Sequence, residues 1–222
     1  MAALTDVHWE TVTPFMRELM ALIGAQPFSR RFYLAGGTAL TLRLGQHRRS
    51  IDLDFFSQDD GVTTATRREI LAALGQFTPQ TIEAVDGNLL LELPELHVAF
   101  LSYGYDLLEP PDQLEQIDVA SITDVGLMKL DALIGRGSRK DFYDLYWVAQ
   151  HHPLAKLLDL ARSKYPYARD FQLMAIESLV LFENADRDLQ PDLLIDVPWS
   201  DVRAFFVAQA RAIGASWLGG GG

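Results

Sequence analysis

The 222-residue chain contains no cysteine, which excludes disulfide bonds, thiolate catalysis and any zinc or iron–sulfur site held by cysteine. It also lacks an apolar run approaching the roughly 20 residues needed to cross a bilayer. Its first residues, MAALTDVHWE, show no basic stretch followed by an apolar one, so a cytoplasmic protein with no membrane partner is expected. Positive charge is scarce. Nineteen Lys and Arg stand against 30 Asp and Glu, a formal net charge of −11, and the chain as a whole repels a nucleic-acid backbone at long range. The shortage is uneven. Arg30, Arg31, Arg43, Arg48 and Arg49 fall between Phe28 and Ser50 with no acid among them, whereas Glu177 to Asp201 is strongly acidic. An anion site is expected near the first stretch. The acidic stretch keeps the protein soluble or meets a basic partner.

What is present is the composition of a folded protein, since 49% hydrophobic and 22% charged residues exclude disorder and fibrous repeats. The length suits one large domain or two small ones. Asp6 to Ile23 reads as an amphipathic helix with Val7, Val12, Phe15, Leu19, Leu22 and Ile23 on one face. The short apolar run Phe32-Tyr33-Leu34-Ala35 then meets Gly36-Gly37, and a helix is predicted from Thr38, acting as its cap, to Gly45. Ile51-Asp52-Leu53-Asp54-Phe55 alternates apolar and acidic, the period of a half-buried strand with both carboxylates on one face. A helix over Thr63 to Phe77 and strands over Gln80 to Val85, Leu89 to Leu93 and His97 to Tyr103 follow, the first two strands joined by the hairpin signal Asp86-Gly87-Asn88. Beyond Thr123 every clear pattern is helical, with helices predicted over 123–134, 138–150, 154–165, 169–183 and 202–213 and a tail from Leu218. The fold class is therefore α+β: a mixed, largely antiparallel sheet with flanking helices over residues 1–108, then a helical bundle over 109–222.

The chemistry concentrates in Gly36-Gly37-Thr38 followed by Asp52-x-Asp54. Carboxylates at alternate strand positions suit a hard divalent cation such as Mg²⁺ or Mn²⁺. A glycine turn feeding a helix N-terminus offers backbone N–H groups to phosphate. Either motif alone is equally a turn or a solvated edge strand. In one compact unit the two acids repel unless a metal ion or an arginine lies between them.

The run LAGGTALTLRLGQHRRSIDLDFF, with KLDALIGRGSRKDFYDLYWV further on, closely resembles the AbiEii/AbiGii toxin family of nucleotidyltransferases, relatives of the DNA polymerase β-like superfamily, over about Leu34 to Val148. The resemblance implies a minimal nucleotidyltransferase core that takes an NTP as substrate. Gly37 and Thr38 form its phosphate-binding turn, and Asp52 and Asp54 its metal pair. It also implies a toxin of a bacterial toxin–antitoxin or phage-defence system, with a cognate antitoxin as partner and an acceptor such as RNA or tRNA. Lys129 and Lys140 then contact the triphosphate, while Asp141 orients a lysine or assists the acceptor hydroxyl.

Read from the residues alone, Lys129, Arg136, Lys140, Asp141 and Asp144 are equally a salt-bridge lattice, Lys140 with Asp144 and the arginines with neighbouring acids. The candidate catalytic residues are Asp52, Asp54, Lys129 and Asp141. The candidate nucleotide-binding residues are Gly36, Gly37, Thr38, Arg48, Ser50, Lys129 and Lys140, and His47 is a further phosphate contact. One departure stands out. The superfamily carries a third carboxylate on a later strand, yet Leu96 to Ser102 contains no acid; Glu92, Glu95, Asp141 or, if it faces the same side, His97 are the substitutes. Without one, the alternative is a non-catalytic nucleotide- or protein-binding member. A haloacid-dehalogenase-like phosphatase also uses Asp-x-Asp, but leaves the glycine turn unexplained.

Overall fold

Pro14 has no N–H to give a preceding turn, and Thr13 before it is extended at φ −75°, ψ 156°, so the expected helix from Asp6 cannot run through. The computed structural model, which describes residues 2–45 and 48–219, instead has a 3₁₀ turn at Trp9–Thr11 and then helix α1 at Pro14–Gly24. Thr13 caps α1 by accepting from the Met16 amide at 3.1 Å. The predicted phosphate contact His47 lies outside the described residues.

The chain divides into two compact units, one ending at Ser121 and the other beginning at Ile122. In the first, strands β1 (Tyr33–Ala35), β2 (Asp52–Ser57), β3 (Gln80–Val85), β4 (Asn88–Leu93), β5 (Leu96–Ser102), β6 (Asp112–Leu114) and β7 (Ile117–Val119) are interleaved with helices α2 (Gly36–Leu44) and α3 (Thr64–Leu74). The sheet order is β3-β4-β5-β2-β1-β7-β6. The division falls at 121/122 rather than 108/109 because β6 and β7 extend this sheet, β7 pairing with β1. β3, β4 and β5 pair antiparallel, as expected from the turn signals; the antiparallel pair β6 and β7 was not expected. β2 with β5 and β1 with β7 are parallel, pairings that need long crossovers and leave no local signal.

Leu53 and Phe55 on the inner face of β2 are buried, and the Phe28, Phe32 and Phe55 rings meet Phe100 at 5.9, 5.2 and 5.1 Å between centroids. Arg43, near the end of α2, donates to the Ala120 and Val119 carbonyls at 2.8 and 2.9 Å and to Asp112 at 2.9 Å. Helix α2 is thereby fixed to β6 and to the end of β7.

The second unit is helical: α4 (Ile122–Gly135), α5 (Arg139–His151), α6 (Leu154–Lys164), α7 (Phe171–Ser178), α8 (Glu183–Arg187) and α9 (Trp199–Gly219). Phe142 packs against Phe182, Trp199 and Phe206. The expected helix over 169–183 stops at Ser178, whose hydroxyl donates back to the Ala175 carbonyl at 2.7 Å. The amides of Val180 and Leu181 then tighten to i−3 carbonyls, a common way for a helix to end. Helix α9 continues to Gly219, past the start of the tail expected from Leu218.

Candidate active site

In the first unit the site starts from a conformation only glycine adopts freely. Gly36 has φ +68°, and a Cβ there would lie 2.5 Å from Asp54 Oδ2, so the bare backbone is what lets the carboxylate overhang the start of α2. A Cβ on Gly37 would fall on the Arg48 guanidinium and 2.9 Å from Ser50 Oγ. Arg48 and Ser50, both buried, therefore converge on the same turn.

This corrects the expected cap. Helix α2 begins at Gly36 rather than Thr38, with Ala35 at the N-cap and no side-chain cap. Thr38 is fully buried and its hydroxyl donates to the Asp52 carbonyl. A hydroxyl has one hydrogen to give, so Thr38 ties α2 to β2.

Asp52 and Asp54 are both half-buried on one face of β2, with Leu53 and Phe55 buried on the other, as the alternation predicts. In register, Ala35 of β1 stands beside Asp54, and His97 and Ala99 of β5 stand beside Asp52 and Asp54. His97 does face this side, its Nδ1 3.4 Å from Asp52 Oδ1. Two carboxylates on one strand face, that of Asp54 over a cradle that a Cβ would fill, are a donor set that fits a hard divalent cation. Among the described residues no group of three or more His, Asp or Glu side chains is arranged to hold an ion.

Two other arginines of the basic stretch go elsewhere: Arg31 pairs with Asp60 and Glu69, and Arg43 with Asp112. A cavity of about 850 Å³ lined by Arg30, Tyr33, Asp59 and Asp118 opens beyond the end of β1 and β2 away from the carboxylate pair.

The second unit holds the other predicted residues. Lys129 Nζ lies 2.9 Å from Asp141 and 2.6 Å from Asp144. Arg136 meets both Asp141 oxygens at 2.7 and 2.8 Å, and the Ser138 hydroxyl donates to Asp141. Burial alone raises the Asp141 pKa, but the charges of Lys129 and Arg136 and the hydrogen bonds from Arg136 and Ser138 outweigh it and hold the carboxyl well below the usual range. Asp141 thus orients a lysine, and Lys129, only 7% exposed, is a buried partner of two acids. Lys140 is half-buried on the first turn of α5. Ser138 was missed in the sequence, although Ser138-x-x-Asp141 is the spacing of a helix-start signal.

Residues 17–212 match the family described as nucleotidyl transferase AbiEii toxin, type IV toxin–antitoxin system. An uncharacterized protein of Aquifex aeolicus (strain VF5) is 33% identical over 203 residues, 88% of this chain and 94% of that one. Among solved structures, MenT4, a nucleotidyltransferase toxin of Mycobacterium tuberculosis H37Rv, superposes with TM-score 0.57 at 16% identity, over 88% of this chain and 82% of its own. JHP933 of Helicobacter pylori does so with TM-score 0.50 at 17% identity, over 94% and 91%. These two structures share the fold.

Proposed function

Because the chain belongs to the AbiEii nucleotidyl transferase toxin family and is a nucleotidyltransferase, we propose that it moves a nucleoside monophosphate from an NTP to an acceptor hydroxyl, with Asp52 and Asp54 holding Mg²⁺ or Mn²⁺. The observation that carries this reading is the Asp54 carboxylate over Gly36, where a Cβ would lie 2.5 Å from Oδ2: metal ligand and phosphate turn are built against each other. The backbone amides at the start of α2 and the Arg48 guanidinium bind and orient the phosphates. The cation, when bound, supplies charge neutralisation on the triphosphate. Within the second unit, Asp141 fixes Lys129 and Arg136. The acceptor oxygen loses its proton as it bonds to the α-phosphorus, the bond to the β-phosphate oxygen breaks, and pyrophosphate leaves. Transfer of this kind is mostly positioning and charge stabilisation.

The acceptor we propose is RNA, a tRNA end included. The setting is a bacterial toxin–antitoxin or phage-defence system in the cytoplasm, with a cognate antitoxin as partner. Among the described residues no helix is long and apolar enough to cross a membrane.

The test is incorporation of each α-³²P-labelled NTP into total bacterial RNA and protein with Mg²⁺, beside Asp54→Ala. Label on RNA that vanishes in the variant supports transfer to RNA through the Asp52 and Asp54 pair; label on protein replaces the acceptor; label that persists in the variant removes the metal pair. One observation favours a second reading. With His97 and Ala99 where an acid is expected on β5, the fold could bind nucleotide without turnover, and NTP binding with no pyrophosphate release is its signature.

A further inference from the structure

The strands on either side of β2 decide how much positive charge the carboxylate pair can hold. β1 contributes Ala35 beside Asp54, and β5 contributes Ala99 beside Asp54 and His97 beside Asp52. Of these three flanking positions only His97 carries a polar side chain, with Nδ1 3.4 Å from Asp52 Oδ1. Glu92 stands opposite His97 on β4. Two strand spacings, about 10 Å, separate its backbone from that of Asp52, with His97 on the strand between them, and its side chain is exposed. Asp141 is engaged by Lys129, Arg136 and Ser138, and Asp144 by Lys129.

Two divalent cations about 3.5–4 Å apart, as in two-metal transferases, repel each other four times as strongly as unit charges at that distance. They need bridging carboxylates to offset it, and β2 with the positions directly beside its pair offers two acids and an imidazole. We infer that the site takes one divalent cation with its nucleotide, not two, and that His97 fills the position from which a further acid would recruit the second. The inference rests on the reading of Asp52 and Asp54 as the metal pair.

The full chain is titrated with Mn²⁺ in the presence of each of the four α,β-methylene ribonucleoside triphosphates in turn, with electron paramagnetic resonance counting bound ions. One Mn²⁺ per complex, with the signal of an isolated ion, is expected for the wild type and for His97→Ala. For His97→Asp a second ion and an exchange-coupled signal are expected. Two coupled ions in the wild type that are both lost in Asp54→Ala overturn the one-ion inference and leave the metal pair standing. A folded His97→Asp chain that still binds one ion overturns it as well, because the charge at position 97 then does not set the count. No Mn²⁺ bound above the level of Asp54→Ala overturns both the inference and the reading beneath it.

Discussion

The first unit sets two like charges side by side and the second sets unlike charges together, and burial differs accordingly. The Asp52 side chain is 28% exposed; Asp141 and Asp144 are completely covered, with Lys129 between them. A buried ion of one sign is tolerable only with partners of the other, and Lys129 on α4 joins Asp141 and Asp144 on α5 in that way. Asp52 and Asp54, half-buried beside a glycine turn, stay instead within reach of solvent and of an arriving cation.

Four substitutions sharpen or break that contrast. The largest effect expected is on folding: Lys129→Met leaves Asp141 and Asp144 without their shared cation and should cost about 3–5 kcal/mol, read as a lower urea midpoint. An unchanged midpoint would place Lys129 with the chemistry instead. Asp54→Ala should reverse the pattern, lowering nucleotidyl transfer by about 10²–10³-fold with a melting temperature close to wild type; a collapse in stability would make the pair structural. Gly36→Ala falls between the two, since φ +68° and the 2.5 Å approach to Asp54 should cost roughly 1–3 kcal/mol and reduce transfer as well, measured on one preparation by melting and by pyrophosphate release.

The smallest effect is on acid sensitivity. The Asp141 pKa is depressed in the fold, so its stabilisation is complete above the unfolded value of about 3.9 and is lost as pH falls below it, at up to about 1.4 kcal/mol per pH unit. Urea midpoints compared at pH 7 and pH 3 should separate widely for the wild type and less for Asp141→Asn. Equal separation would show that other carboxylates govern the acid limb.

The Asp-x-Asp alternation, the glycine turn and the Asp86-Gly87-Asn88 hairpin were legible because each is local: side-chain period and turn chemistry are written within a few residues. The proximity of Asp52 and His97 was not, because the two are 45 residues apart and meet through a parallel pairing, and nothing in either strand names its partner. Thr38 reads as a helix cap by residue type, yet its hydroxyl finds the Asp52 carbonyl across the sheet, a competitor that a linear reading does not contain. Lys129 reads in the sequence as a triphosphate contact or as part of a salt-bridge lattice. Burial beside two acids separated from it by 12 and 15 positions is a tertiary outcome. The pairing of β7 with β1, which carries the first unit on to Ser121, is non-local in the same way.

Arg43 gives the site a mechanical property. Its guanidinium is fastened at three points, to Ala120, Val119 and Asp112, at the rear of the nine-residue helix whose front is the glycine turn. At 1.5 Å per residue that helix is about 13 Å long, a short cantilever with its far end built in. A load applied at its tip by an arriving phosphate passes into β6 and the end of β7 instead of rotating the helix, and lysine, with one point charge in place of a planar fork, would turn the fixed end into a pivot.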